Sequence, residues 1–173
     1  VPVIAGHVHS LELSDCVVVS PDVGNVKQAN NYAERLGADL AVIDKRRTGG
    51  SSTVATRVIG DVKGKTVLLF DDMITTGGTA VEAVRILRQD GARRFLLAAT
   101  HPVFAGPALD RIKSAQIDYL CVTNTIPLSA RVRAELPHIT VLSVAALLGE
   151  AIRRIHSNRS VSALFLNGTA PDG

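Results

Sequence analysis

Tryptophan is absent from this 173-residue chain, and aromatic residues make up only 3% of it. So sparse a supply argues against the aromatic platforms on which proteins stack successive nucleic-acid bases. Basic residues are not concentrated either: no run is longer than Lys45-Arg46-Arg47, and the formal net charge is +3. That balance makes no case for a nucleic-acid partner and suits anionic small molecules equally well. Cysteine is limited to Cys16 and Cys121, without a C-x-x-C spacing, so neither a zinc site nor a redox pair is indicated. Each lies in an apolar run, Cys16-Val17-Val18-Val19 and Leu120-Cys121-Val122, and reads as a buried free thiol in a reducing compartment. No apolar stretch approaches the roughly 20 residues of a membrane-spanning helix, and no signal peptide is visible. A soluble, cytoplasmic protein is expected.

What is present is alternation. Short β-branched runs predict strands at Cys16–Ser20, Leu40–Ile43, Thr66–Phe70, Phe95–Thr100, Tyr119–Thr123 and Ile139–Leu142. Helical stretches fall between or after them at Val26–Leu36, Thr79–Gln89, Gly106–Ser114 and Val144–His156, with Gly37, Gly91 and the Asn158 region as stops. Strands apolar on both faces, each followed by a helix, predict an α/β fold: a parallel sheet flanked by helices on both faces. Residues 1–166 are expected to form a single domain and residues 167–173 a disordered tail. The polar, glycine-rich stretch between Arg47 and Thr56 reads as a mobile surface loop.

The densest signal is VLLFDDMITTGGT, from Val67 to Thr79. A buried strand ends in Asp71 and Asp72, and the turn Thr75-Thr76-Gly77-Gly78-Thr79 then opens a helix. A glycine-rich turn at a helix start presents unpaired N–H groups and the positive end of the helix dipole, which suit a phosphate. Adjacent carboxylates suit sugar hydroxyls or a magnesium ion, both of which want hard oxygen partners. Glycines alone would mean only a tight strand-to-helix connection. Side-by-side acids after an apolar strand imply something cationic or hydroxylated opposite them. Together they describe a phosphorylated pentose.

This segment resembles the phosphoribosyl-binding motif of the type I phosphoribosyltransferase fold. Val19-Ser20-Pro21-Asp22-Val23-Gly24 resembles the pyrophosphate loop of ribose-phosphate pyrophosphokinases, and Asp44-Lys45-Arg46-Arg47 the start of their catalytic loop. Val58–Lys65, Ala99–Ala108, Thr123–Pro127 and Ser160–Phe165 follow the same family in order. The resemblance covers the carboxyl-terminal half of such an enzyme, and a start at Val1 agrees with a fragment. It implies transfer of pyrophosphate from ATP to the anomeric hydroxyl of ribose 5-phosphate, giving phosphoribosyl pyrophosphate (PRPP) and AMP. It also implies Mg2+ as cofactor and a homo-oligomer, a hexamer of dimers.

By that resemblance Lys45 and Arg47 are catalytic, Arg47 also touching the sugar phosphate, while Arg46 faces solvent or a partner. A solvated basic turn is the plainer reading of Lys-Arg-Arg. Asp71 and Asp72 would take the ribose hydroxyls, directly or through magnesium; Asp72 capping the turn is the alternative. Thr75, Thr76, Gly77, Gly78 and Thr79 would hold the 5-phosphate. Asp22, Val23, Gly24 and Asn25 form the pyrophosphate loop, with Asp22 as metal ligand or, alternatively, as a helix N-cap. Two positions depart from the family. Thr75 stands where an aspartate is usual, and Asn25 replaces a glycine, which Asn's tolerance of left-handed backbone would accommodate. His7 and His9 are expected on a frayed terminus and His101 beside the site or in a structural hydrogen bond. His138 and His156 are expected at the surface. The rival functions are a non-catalytic PRPP-binding or regulatory subunit and a stand-alone phosphoribosyltransferase.

Overall fold

The computed structural model describes residues 1–47 and 54–166. Seven strands form one sheet: β1 (Cys16–Ser20), β2 (Asp39–Arg47), β3 (Val54–Ile59), β4 (Thr66–Met73), β5 (Arg94–His101), β6 (Tyr119–Thr123) and β7 (Thr140–Leu142). Their order is β3-β2-β1-β4-β5-β6-β7. Every neighbouring pair is parallel except β2–β3, which is antiparallel. All six expected strands are present and the α/β class holds. The hairpin partner β3 was not expected: Val54 and Ala55 belong to it rather than to a loop. Its sequence mixes Thr56 and Arg57 with valines, as an edge strand exposed to water allows. Residues 48–53 and the tail 167–173 lie outside the described residues.

Helices cover both faces. On one side, α1 (Pro2–His9) and α2 (Val26–Leu36) pack Ile4, Ala5, Val8, Ala29, Tyr32 and Ala33 against Val18, Leu68, Phe70, Leu96 and Cys121. On the other, α3 (Gly78–Gln89), α4 (Ala108–Ser114) and α5 (Ala130–Glu135) cover Val17, Val19, Val67, Leu69, Leu97 and Val122. In α3 the buried residues Ala80, Ala83, Val84 and Leu87 recur at helical spacing, forming one apolar stripe. Strand residues alternate between the two layers as the pleat requires. The amino-terminal segment is therefore a packed helix and not a frayed end. His7 Nε2 lies 2.7 Å from the Tyr119 hydroxyl, which in turn sits 2.9 Å from Thr140 Oγ1.

Two further helices follow β7: α6 (Ala145–His156) and α7 (Ala163–Leu166). α6 buries none of its residues and exposes Leu148, Ile152 and Ile155 by 57%, 67% and 65%. That apolar side is too large to be ordinary surface scatter. Cys121 is buried and Cys16 half-buried, both as free thiols. Burial pushes the Cys121 thiol up to about 12, so it stays protonated and unreactive.

Leu97 at the centre of β5 is 1% exposed. Leu97→Ala should lower unfolding free energy by about 2–5 kcal/mol, through lost transfer energy and the cavity left behind. Ile152→Ala should change it by less than about 0.5 kcal/mol. Urea titration of both variants checks the contrast.

Candidate active site

The chain runs from β1 outward to β2 on one side, then returns to place β4 on the other. Strand order thus reverses between β1 and β4, and it is beyond the carboxyl ends at such a switch point that open α/β sheets take ligands. Parallel register sets Val19 opposite Leu69, so the residues following Ser20 come level with Asp71 and Asp72. α2, which follows the β1 loop, is anchored beside the same place: Tyr32 stacks on Phe70 with ring centroids 3.7 Å apart.

The loop after β1 closes on Asp22. Ser20 Oγ donates to the Asp22 carbonyl at 2.7 Å, and the Asn25 N–H donates to Asp22 Oδ1 at 2.9 Å. A Cβ on Gly24 would lie 3.2 Å from that same oxygen, tighter than usual, which explains a glycine there. The helix N-cap is Asn25, not Asp22, whose carboxylate braces the loop three residues earlier. Asn25 itself has φ −92°, so replacing the family's glycine calls for no left-handed backbone.

At the end of β4, Asp71 is half-buried and Asp72 exposed. Register pairs Asp71 with Ala99 and Met73 with His101 on β5, which holds both acids on extended backbone. Asp71 Oδ1 accepts the Asp72 N–H at 2.8 Å. Burial, followed by the neighbouring Asp72 carboxyl, pushes Asp71 up to about 6. Such a group gains most when a cation or hydroxyl donor arrives.

Beyond it the chain turns into α3 through Gly77, a buried residue at φ +71°. A Cβ there would be strained in that left-handed backbone and would sit 3.5 Å from the Ala108 carbonyl. No side chain caps α3, so its first amides are presented outward. Thr75, Thr76 and Thr79 are exposed along the same turn. One cation not singled out in the sequence touches it: Arg111, whose Nη1 donates to the Thr76 carbonyl at 3.1 Å. It lies 35 positions away and on another helix, so no local pattern marks it.

Lys45 is exposed near the end of β2, paired with Thr56 across the hairpin. Arg85 and, more weakly, the Lys45 ammonium hold the Glu82 carboxyl below its ordinary range. The side chains of Arg46 and Arg47 lie outside the described residues. His101 Nδ1 bonds Thr125 Oγ1 at 2.9 Å, and Thr125 and Thr123 both donate to the Thr100 carbonyl. That network is structural. Among the described residues no cluster of three or more His, Cys, Asp or Glu side chains could hold a metal.

These features define a class: an α/β phosphoribosyltransferase-like domain with acids and an amide-rich turn at its switch point. Residues 51–166 match the family described as the phosphoribosyl synthetase-associated domain, and the chain belongs to that family. It is 49% identical over 95% of its length to a ribose-phosphate pyrophosphokinase of Nostoc sp., covering 49% of that protein. The corresponding figures for the Chromobacterium violaceum ribose-phosphate pyrophosphokinase are 47%, 95% and 50%. The crystal structure of phosphoribosylpyrophosphate synthetase from Mycobacterium smegmatis superposes with a TM-score of 0.78 at 44% identity, covering 90% of this chain and 50% of that one. The chain spans about half the length of the curated relatives it matches.

Asp71 binds its proton more tightly in the folded chain, at about 6, than at its ordinary 3.8. Folding is therefore penalised by this group as pH rises through that window. Asp71→Asn should stabilise the ligand-free chain at pH 8, by about 1 kcal/mol after screening at a half-exposed site. The gain should shrink below pH 6 and vanish near pH 4. Thermal melts across that range check it, and a destabilised variant at pH 8 would contradict the raised value.

Proposed function

We propose that this chain is the part of a ribose-phosphate pyrophosphokinase that holds ribose 5-phosphate and PRPP and supplies the catalytic-loop cations. The observation that carries the reading is the switch point between β1 and β4, where Asp71 and Asp72 end β4 and the Gly77 turn follows them. Phosphate recognition falls to the backbone amides and hydroxyls of Thr75–Thr79, and sugar recognition to Asp71 and Asp72. The pyrophosphate loop, Asp22 to Asn25, follows β1, the strand paired with β4. The reaction is attack of the anomeric hydroxyl on the β-phosphorus of ATP, with AMP as the leaving group. It asks the protein for alignment and neutralisation of charge rather than covalent chemistry. Lys45 is a compact cation and Arg47 a planar fork for that purpose.

The donors suit Mg2+ in the manner usual for that ion, one or two carboxylates with the remaining ligands from substrate phosphates and water. Asp22 would hold it, as the resemblance implies; among the described residues too few protein donors converge for a metal cage. When bound, it would neutralise the pyrophosphoryl oxygens. Support for a homo-oligomer comes from the exposed apolar side of α6. A cytoplasmic location fits the metabolic role of the relatives, and no helix among the described residues is long and apolar enough to cross a membrane.

Calorimetry should detect ribose 5-phosphate or PRPP binding to this chain in the presence of magnesium. No heat from either ligand at millimolar concentration would sink the proposal. In any preparation that releases AMP in a ribose 5-phosphate-dependent way, Lys45→Ala should lower turnover by about 10²–10³ while ribose 5-phosphate affinity changes little. Thr79→Val should do the reverse, raising the Michaelis constant with a smaller effect at saturation. If Lys45→Ala mainly raises the Michaelis constant, Lys45 is a binding residue.

A further inference from the structure

Three successive carbonyls of the turn after β4 are tied to one neighbouring segment. The Ile74 carbonyl accepts from Phe104 N–H at 2.9 Å, and the Thr75 carbonyl from Ala105 N–H at 2.8 Å. The Thr76 carbonyl accepts from Arg111 Nη1 at 3.1 Å. In a planar trans peptide the C=O of one residue and the N–H of the next point in opposite directions. Carbonyls 74, 75 and 76 held toward the β5–α4 connection therefore turn the N–H groups of Thr75, Thr76 and Gly77 away from it. Consecutive amides directed to one side make an anion-binding concavity. Phe104 adopts φ +48°, uncommon for a non-glycine residue, at the point that supplies the first tie.

Two of these ties are main-chain bonds, whose donors only a proline would delete. The third is a side chain. α4 brings it there by docking on the turn: Ile112 is buried within 3.5 Å of where a Gly77 Cβ would stand. Arg111 Nη1 lies 3.5 Å from the corresponding position on Gly78, the first residue of α3. The guanidinium thus meets the turn where the helix dipole already favours an anion.

We propose that Arg111 is a positioning residue for phosphate recognition, fixing the Thr76–Gly77 peptide so that the Gly77 amide faces the anion. This deepens the pentose-phosphate reading above and rests on it. Arg111 acts through the peptide; the phosphate touches the amide.

The test combines amide NMR and calorimetry on the whole chain. In the wild type, inorganic phosphate and ribose 5-phosphate should both shift the Thr75, Thr76 and Gly77 amide resonances. Arg111→Met should weaken both ligands by the same factor, roughly tenfold to hundredfold, the range for a hydrogen bond involving a charged group. Arg111→Lys, which keeps a charged donor, should recover affinity to within a few-fold. Wild-type affinity in Arg111→Met, or no recovery in a folded Arg111→Lys, overturns the role of Arg111 alone. Should Arg111→Met fail to fold, the wild-type titration decides: a Gly77 amide that stays still at saturation also overturns it. A wild-type chain that binds neither ribose 5-phosphate nor PRPP overturns the pentose-phosphate reading and this inference with it.

Discussion

Parallel pairing of β1 with β4 holds the acidic strand end and the β1 loop at one level, Val17 opposite Val67 and Val19 opposite Leu69. The placing of both depends on that register. A slip of one residue would send Asp71 to the other side of the sheet and bury a different set of side chains. The register is protected because both faces of these strands are buried: Val17, Val18, Val67 and Leu68 are at most 1% exposed. A slip would break two apolar layers at once. α2 adds a brace by stacking Tyr32 on Phe70, the residue immediately before Asp71.

The two ends of the β4–α3 connection are electrically opposite. At the β4 end, two carboxyl groups crowd together and Asp71 holds its proton up to about pH 6. At the α3 end, amides and the helix dipole offer positive potential, with Arg111 behind them. A ligand carrying hydroxyls, or a magnesium ion, at one end and a phosphate at the other relieves both. Neither end is stabilised by packing alone. Gly77 at φ +71° and Phe104 at φ +48° both depart from the backbone that most side chains prefer. The surrounding bonds to Phe104, Ala105 and Arg111 hold that conformation.

Sequence alone determined the strands that are apolar on both faces, because short β-branched runs bounded by turn residues, each followed by a helical stretch, suit a sheet sandwiched between helices. It marked Asp71–Thr79 for the same kind of reason: paired acids and a glycine turn are costly without a purpose. It also fixed the helix ends at Gly37 and Asn158, where left-handed φ values of +61° and +51° occur. Three other features were decided only by the tertiary structure. β3 is a strand because β2 offers it an edge, pairing Val42 with Ile59 and Lys45 with Thr56, and not because its own residues alternate. α1 is a helix because the sheet face offers a place for Ile4, Ala5 and Val8, which eight residues alone could not repay. Arg111 joins the turn because α4 docks there through Ile112. Periodicity and local motifs report what a segment does to itself, whereas a hydrogen bond across 35 positions exists only once the chain has closed.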